Sequence, residues 1–431
     1  MSDLKQTPDT VQTFDIVIVG GGIVGATLAC ALSKSRYNVA LVEAQSLEQL
    51  TSVYSTNSER DIDQFDPRVS ALTVASQTFF ANLGVWQRMQ SRRVSPYQEM
   101  KVWDGEGTAS IEFSAAELYQ PALGHIVENS VTVTSLYEQL QSQLQTDNET
   151  TLLTGERIRQ VNLNNDNPEL ILENGTHIRA SLVVAADGAN SLIRKLSGLP
   201  TREWDYQHHA IVASVKTEKN NEETAWQRFM ETGPLALLPL SIRPSSNSQN
   251  KSHYSSIVWS AVPERAKALM ALNDEQFCEE LSRCFEHRLG AVEEVSTRYS
   301  FPLKQRHAKQ YVTSNIALVG DAAHTIHPLA GQGVNLGLQD VAVLADELIK
   351  ASKKGLAPND ALMLKRYQRR RMGPNLAMMG LMEGFKRLFS QDSLSIRLLR
   401  NTGMRWLNGN KFLKKQVVSQ AMGLDSKVPE V

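Results

Sequence analysis

Gly20-Gly21-Gly22-Ile23-Val24-Gly25 follows the apolar, β-branched run Phe14 to Val19 and leads into Ile23 to Ser33, a stretch of good helix formers. Strand, tight turn and helix in that order, with a second apolar run from Val39 to Glu43, make a βαβ unit. The glycines fit the pattern G-x-G-x-x-G, in which backbone N–H groups and the positive end of a helix are turned toward a pyrophosphate. Side chains at Gly20 or Gly22 are expected to block that approach, and Gly25 completes the pattern. Glu43, closing the second strand, is placed to accept hydrogen bonds from an adenosine ribose. Glycines alone are a weak signal. With strand, helix and acid at these spacings they point to a dinucleotide fold, without choosing between FAD and a nicotinamide nucleotide.

Working outward, 431 residues are enough for two or three structural units, and 42% hydrophobic with 21% charged residues is ordinary globular composition. The 45 basic and 46 acidic residues nearly cancel, so no overall field recruits nucleic acid or an anionic membrane, and no nucleic-acid partner is expected. Cys30, Cys278 and Cys284 form no Cys-x-x-Cys pair and no metal-ligand spacing with histidine, which argues for a reducing compartment and against disulfide chemistry or a metal site. Met1 to Thr13 is polar, unlike a secretory leader, and no apolar run reaches the roughly 18 to 20 residues that span a bilayer. The expected location is cytoplasmic, with any membrane contact peripheral, at the inner membrane.

Gln45 to Asp66 is polar and reads as a long surface loop. Arg68 to Leu83 has helical periodicity, Lys101 to Phe113 alternates as a sheet does, and Val131 to Gln145 returns to helix. Thr151 to Val184 reads as a strand-rich meander with a hairpin turn at Asn174-Gly175. Strand-like runs at His209 to Val215, Leu235 to Leu240 and Ser255 to Val262, with a polar loop from Arg243 to Ser252, suggest an antiparallel sheet in a second domain. Ile316 to Val319 is a short buried strand and Val334 to Ser352 a helix. Leu362 to Leu407 is mainly helical, broken near Gly373-Pro374.

Two more motifs stand just beyond buried strands, where open α/β sheets bind their ligands. One is Ala185-Ala186-Asp187-Gly188-Ala189-Asn190-Ser191, followed by Arg194; the other is Ala317-Leu318-Val319-Gly320-Asp321-Ala322-Ala323-His324. Asp-Gly is also a common turn pair. Together with Gly20 to Gly25, these segments resemble the three-part fingerprint of flavoprotein aromatic hydroxylases related to para-hydroxybenzoate hydroxylase. His327-Pro328-Leu329-Ala330-Gly331-Gln332-Gly333-Val334-Asn335-Leu336-Gly337 is similar, within that group, to the signature of the ubiquinone-biosynthesis hydroxylases. Gln339 departs from the arginine common at its place.

The resemblance extends over nearly the whole chain and implies the rest of the reading. FAD is the expected cofactor and NADH or NADPH the electron donor. Asp321 would meet the ribityl or ribose part of FAD, and Asp187 with Gly188 would serve FAD and the nicotinamide cofactor. Gly320 belongs to the same Gly-Asp turn. Pro328, Gly331, Gly333, Val334 and Asn335 would lie along the flavin, the glycines letting backbone approach the ring and the helix from Val334 offering N–H donors to its pyrimidine edge. Arg68, in Asp66-Pro67-Arg68, would approach FAD and the nicotinamide phosphate, and Asn129 would lie along the FAD chain. The implied architecture is α/β: a Rossmann-like FAD-binding domain from residues 14–95, 130–200 and 301–370, an inserted antiparallel-sheet substrate domain from 96–129 and 201–300, and a helical C-terminal region, 371–431.

The implied reaction is hydroxylation of an electron-rich phenol ring by O2 through a flavin C4a-hydroperoxide, with a polyprenylated ubiquinone precursor as substrate. Leu235, Leu237 and Pro239 are the expected walls excluding water from the ring. His125, His208, His324 and His327 stand in motif segments, yet each fits a structural role as well, and no catalytic base is assigned. Another FAD-dependent aromatic hydroxylase and a non-catalytic flavin-binding assembly component are the alternatives. Met378, Met382, Phe385 and Phe389 recur at helical spacing beside Lys386 and Arg387, which suits core packing or a homo-oligomer interface, with a lipid surface or another ubiquinone-biosynthesis protein as the other partners.

Overall fold

The computed structural model describes residues 11–52, 61–105, 110–145, 149–163, 167–242, 252–325 and 333–390, with Trp406, Asn410 and Gln416; the side chains of 385–390 are excepted. His327, Pro328 and Gly331 lie outside the described residues, as do the side chains of Phe385 and Phe389.

The first sheet has Gln12–Val19 near its centre, with Val39–Glu43 and His177–Ala185 parallel on either side. Thr150–Thr154 continues it beyond Val39–Glu43, and Ile316–Leu318 runs parallel to the end of His177–Ala185. Val17, Ile18, Leu41, Val183 and Val184 are all fully buried. Unbroken apolar strands are what a parallel sheet covered on both faces requires. Helix Ile23–Leu32 packs against Asn129–Leu144 and Gly333–Lys353, and the last of these also packs against Ala361–Ser390. At Asn174-Gly175 the hairpin turn forms, with Gly175 at φ +89° and the Asn174 side chain accepting the Thr176 N–H at 2.8 Å.

Among the described residues the second sheet has nine strands. Its spine, Thr201–Thr217, pairs antiparallel with Tyr254–Ala261, Val292–Val295 and Tyr299–Ala308. The expected boundary at 300/301 falls inside Tyr299–Ala308, whose pairing keeps it with this sheet. Antiparallel order is broken at one seam, where Thr224–Phe229 lies parallel to Glu99–Asp104. That partner strand enters from a distant part of the chain, so no hairpin fixes its direction.

Helices Pro263–Ala271 and Asp274–Cys284 cover one face and bury Trp103, Trp226, Trp259, Phe277 and Leu281 in a common core. The other face meets a three-stranded sheet of Val69–Leu72, Ser95–Tyr97 and Gly124–Glu128, through Leu238, Leu240 and Tyr254 on one side and Ile62, Phe65, Ala71 and Ile126 on the other.

Three local expectations are corrected. The polar segment after Gln45 contains helix Leu47–Thr51, closed by a reciprocal Ser46–Gln49 capping box, and a 3-10 turn at Asp61–Gln64. Arg68 to Leu83 divides into strand Val69–Leu72 and helix Val74–Asn82, because Thr73 caps the helix through the Ser76 N–H. Helix Ala361–Ser390 runs through Pro374 unbroken. Proline costs the helix one N–H bond, and here Arg371 and Asn375 anchor the surrounding turns on buried Asp340.

Candidate active site

The hydrogen-bond ladder of the first sheet runs to the carboxyl ends of its strands. Gly20 N–H donates to Val42 O at 2.9 Å, Ala186 N–H to Val19 O at 2.8 Å, and Val319 N–H to Ala185 O at 3.0 Å. The three motif turns therefore leave the sheet side by side, at the edge where such sheets bind ligands.

Within the first turn the glycines do different work from that expected. Gly20 has φ +100°, and a Cβ there would lie 2.5 Å from Ala186 O, so it serves the packing of two turns and not the approach of a ligand. At Gly25 a Cβ would lie 1.9 Å from Gly20 O, whereas at Gly22 it would meet nothing within 4 Å among the described residues. Gly22 is thus the open side of the turn. It stands at the N-terminus of helix Ile23–Leu32, which among the described residues has no side-chain cap and has no acidic residue in its first turn. N–H donors left in that state suit an anion.

Glu43 braces the turn: one carboxylate oxygen accepts the Gly21 N–H at 2.6 Å and the other the Gln45 N–H at 2.8 Å. The Tyr137 hydroxyl donates to Gly21 O at 3.0 Å. Tyr137, on helix Asn129–Leu144, escaped the sequence reading because a tyrosine at a core-facing helical position carries no signal of its own.

In the second turn, Asp187 Oδ2 accepts the N–H groups of Leu192 and Ile193 at 2.7 and 3.3 Å, capping helix Leu192–Leu196. Its Oδ1 is buried without a hydrogen-bond partner among the described residues. Gly188 has φ +79°. Arg194 ties the second turn to the third, donating to Ala189 O and Ala322 O at 2.8 Å each.

Asp321, in the third turn, is exposed. Its carboxyl is nonetheless partly desolvated, which raises its pKa, with His324 pulling the other way. Gly333 and Val334 are half-buried at the start of helix Gly333–Lys353.

Asn335 is buried and fully engaged. Its Oδ1 accepts from Thr73 N–H and the Ser76 hydroxyl at 3.1 and 2.7 Å, and its Nδ2 donates to Ala71 O at 2.7 Å. It anchors the helix start to the three-stranded sheet. Arg68 is exposed, and its carbonyl accepts the Asn129 N–H at 3.0 Å. The Asn129 side chain accepts from the Ser70 hydroxyl at 2.7 Å. These two expected contacts are therefore neighbours.

The expected substrate walls are corrected. Leu235 and Leu237 sit in the outer core with Trp226, Trp259 and Phe277, under the two helices. Side chains alternate along a strand, which puts Pro239 on their side and Ala236 and Leu238 on the face turned toward the first domain. Ala236 is paired with Val258 and Leu238 with Ser256. Of the histidines, His125 packs edge-on against Trp86 with its Nδ1 unpartnered among the described residues. His208 Nδ1 lies 2.7 Å from Tyr206 O.

An open glycine turn, uncapped helix amides and a buried, unpartnered Asp187 oxygen on one sheet edge fit a dinucleotide with a pyrophosphate and several hydroxyl donors. The family model described as "FAD binding domain" matches residues 13–378. The 3-demethoxyubiquinol 3-hydroxylase of Escherichia coli (strain K12) is 38% identical over 96% of this chain and 100% of its own length. A ubiquinone hydroxylase, UbiL, of Rhodospirillum rubrum is 34% identical over 96% of this chain and 91% of its own. Among solved structures, the p-nitrophenol 4-monooxygenase PnpA of Pseudomonas putida DLL-E4 superposes with a TM-score of 0.75 at 17% identity, covering 96% of this chain and 99% of that one.

Proposed function

Because the chain belongs to the FAD-dependent ubiquinone hydroxylase family, we propose that it uses NAD(P)H and O2 to hydroxylate the aromatic ring of a polyprenylated phenol, a ubiquinone precursor. It is an FAD-dependent monooxygenase. The observation that carries the assignment is the meeting of the Gly20, Ala186 and Gly320 turns at one sheet edge, with the second sheet joined beside the third turn by the pairing of His307 with His324.

Bound FAD supplies electron exchange with NAD(P)H and activation of O2. The chain's own residues hold, orient and shield. The first amides of helix Ile23–Leu32, opened by Gly22, would receive the pyrophosphate. Glu43 would serve the adenosine ribose, Asp321 the ribityl hydroxyls, and the N–H groups at Gly333 and Val334 the pyrimidine edge of the ring. Gly20, Gly25, Gly320 and Asn335 act one step back, fixing the turns that carry those donors. Arg68, Asn129 and Asp187 with Gly188 remain our candidates along the FAD chain and for the nicotinamide nucleotide.

Ala236, Leu238 and Val258 replace Leu235, Leu237 and Pro239 as the proposed wall against the substrate ring, where exclusion of water protects the oxygenating step. Among the described residues no helix is long and apolar enough to cross a membrane. A polyprenyl tail must still be reached, and we place that encounter at a membrane surface. Leu376 and Leu381, exposed on helix Ala361–Ser390, support it.

The test is to incubate purified protein with FAD, NAD(P)H, O2 and a polyprenylphenol and to analyse the product by mass spectrometry. One added oxygen on the ring is expected; nucleotide oxidation indifferent to every phenol would sink the proposal. Asp321→Ala should give folded but flavin-poor protein, since residue 321 is exposed and the change removes a carboxyl whose charge is opposed by desolvation. Normal flavin absorbance after purification would show that contact to be misplaced. Ala236→Phe should raise KM for the phenol about tenfold with FAD content unchanged. An unaltered KM would remove Ala236 from the wall.

A further inference from the structure

Asp340, in helix Gly333–Lys353, has no solvent exposure and accepts four hydrogen bonds. Oδ2 takes the Gly320 N–H at 3.1 Å and lies 2.5 Å from His324 Nε2. Oδ1 takes Arg371 Nε at 2.7 Å and Asn375 Nδ2 at 3.1 Å. Every lone-pair position of the carboxylate is occupied. Burial opposes its charge, but His324 and Arg371 outweigh that and hold the pKa at about 2. Removing one partner of such a group leaves buried charge uncompensated.

The network adds side-chain bonds between parts of the fold that also meet through the backbone, at the pairing of His307 with His324 and the Ala308 N–H to Ala323 O bond of 2.8 Å. Arg371 and Asn375 lie one turn apart on helix Ala361–Ser390, bonded to each other at 2.6 Å. One turn earlier, the Tyr367 hydroxyl donates to Leu318 O at 2.7 Å, on the strand that leads into Gly320. Asn375 also donates to the Tyr311 hydroxyl at 3.2 Å, and that hydroxyl lies 3.0 Å from His307 Nε2. His307 pairs in register with His324 across the edge of the second sheet. One chain of polar contacts thus runs from that sheet through the C-terminal helix to the amide of Gly320, a residue held at φ +58°.

We propose that His324 is a positioning residue for FAD: through Asp340 it fixes the Gly320-Asp321 turn and couples that turn to helix Ala361–Ser390. It is not a base for the substrate. Its ring is 1% exposed and its Nε2 is spent on Asp340. Without the imidazole, Asp340 keeps Arg371 and Asn375 on Oδ1, but Oδ2 is left with the 3.1 Å bond from the Gly320 amide alone, so the oxygen that holds the turn loses its stronger anchor. The Asp321 carboxyl then leaves its place and cofactor affinity falls, while the amides of the first glycine turn are untouched.

The experiment titrates apoprotein with FAD, following quenching of flavin fluorescence, and records the visible spectrum of the bound flavin. His324→Gln keeps an N–H donor toward Asp340, and His324→Leu removes it at similar size. We expect the FAD Kd to rise at least tenfold in His324→Leu, with displaced flavin absorption bands, and to stay within threefold of the parent in His324→Gln. A purely structural role predicts lower melting temperatures in both with equal Kd. A Kd within twofold of the parent in His324→Leu, or equal weakening in both variants, overturns the proposal. Should His324→Leu not fold, Arg371→Lys keeps the charge while losing the planar fork; unchanged FAD affinity there overturns it as well. Parent protein that failed to bind FAD would instead sink the cofactor assignment on which this rests.

Discussion

Gly25→Ala is expected to yield protein with less than about a tenth of the parent's bound FAD, and Gly22→Ala to melt as the parent apoprotein does while binding FAD about tenfold more weakly. Both replacements add one methyl group to the same turn. At position 25 it would lie 1.9 Å from Gly20 O and 3.1 Å from the Ala186 side chain, so either the helix or the turn must move. Overpacking of this kind costs about 1 to 3 kcal/mol, and the movement displaces the amides that would receive the pyrophosphate.

At position 22 the methyl meets nothing within 4 Å among the described residues. The apoprotein should therefore lose less than about 0.5 kcal/mol, while the methyl occupies the opening itself. Thermal melting of the apoproteins and flavin absorbance of the purified proteins separate the two effects. Stoichiometric FAD in Gly25→Ala, or undiminished affinity in Gly22→Ala, would mean that the pyrophosphate does not enter by this turn.

Those glycines also mark the limit of sequence reading. The order of strand, turn and helix was legible because β-branched runs and glycine turns are local signals. Which glycine faces a ligand and which faces Ala186 is set by a turn more than 160 residues away, and no spacing rule carries that. Leu235 to Pro239 failed differently: five consecutive apolar residues have no alternation, so the strand could be recognised but not its inward face.

Helices Pro263–Ala271 and Asp274–Cys284 carry local signals in the sequence. Pro263 stands at a helix start, and Asn273 with Gln276 forms a capping box. Pro374 misled because a break rule assumes an unsupported helix. Asp340 is itself a local signal, an acid inside a helix that is otherwise buried and apolar on that side, for such an acid needs a partner.

Acidification from pH 6.5 to 4 should strip the apoprotein of several kcal/mol of stability, and two histidines outside the proposed cofactor contacts should carry much of that loss. Burial pushes the His125 pKa down to about 4. Burial, reinforced by neighbouring His324, does the same for His307. Each folded value lies below the ordinary 6.5, so the native state keeps these rings neutral while the unfolded chain takes up protons. Over this window the unfolded state binds more protons, and stability falls as pH falls, levelling off below about 4 for these two groups.

A displacement of that size is worth about 3 kcal/mol per ring as an upper figure. The ion-paired carboxylates contribute at lower pH: Glu280 and Asp340 are both held at about 2 by their cationic neighbours against the opposing effect of burial, and their stabilisation is lost from about pH 4 downward. Urea unfolding of apoprotein at pH 7, 6, 5 and 4.5 isolates the histidine window. His125→Gln removes one titrating ring and should flatten the profile by up to half. If that variant and the parent lose stability in parallel between pH 6.5 and 4.5, His125 is not held neutral by burial beside Trp86.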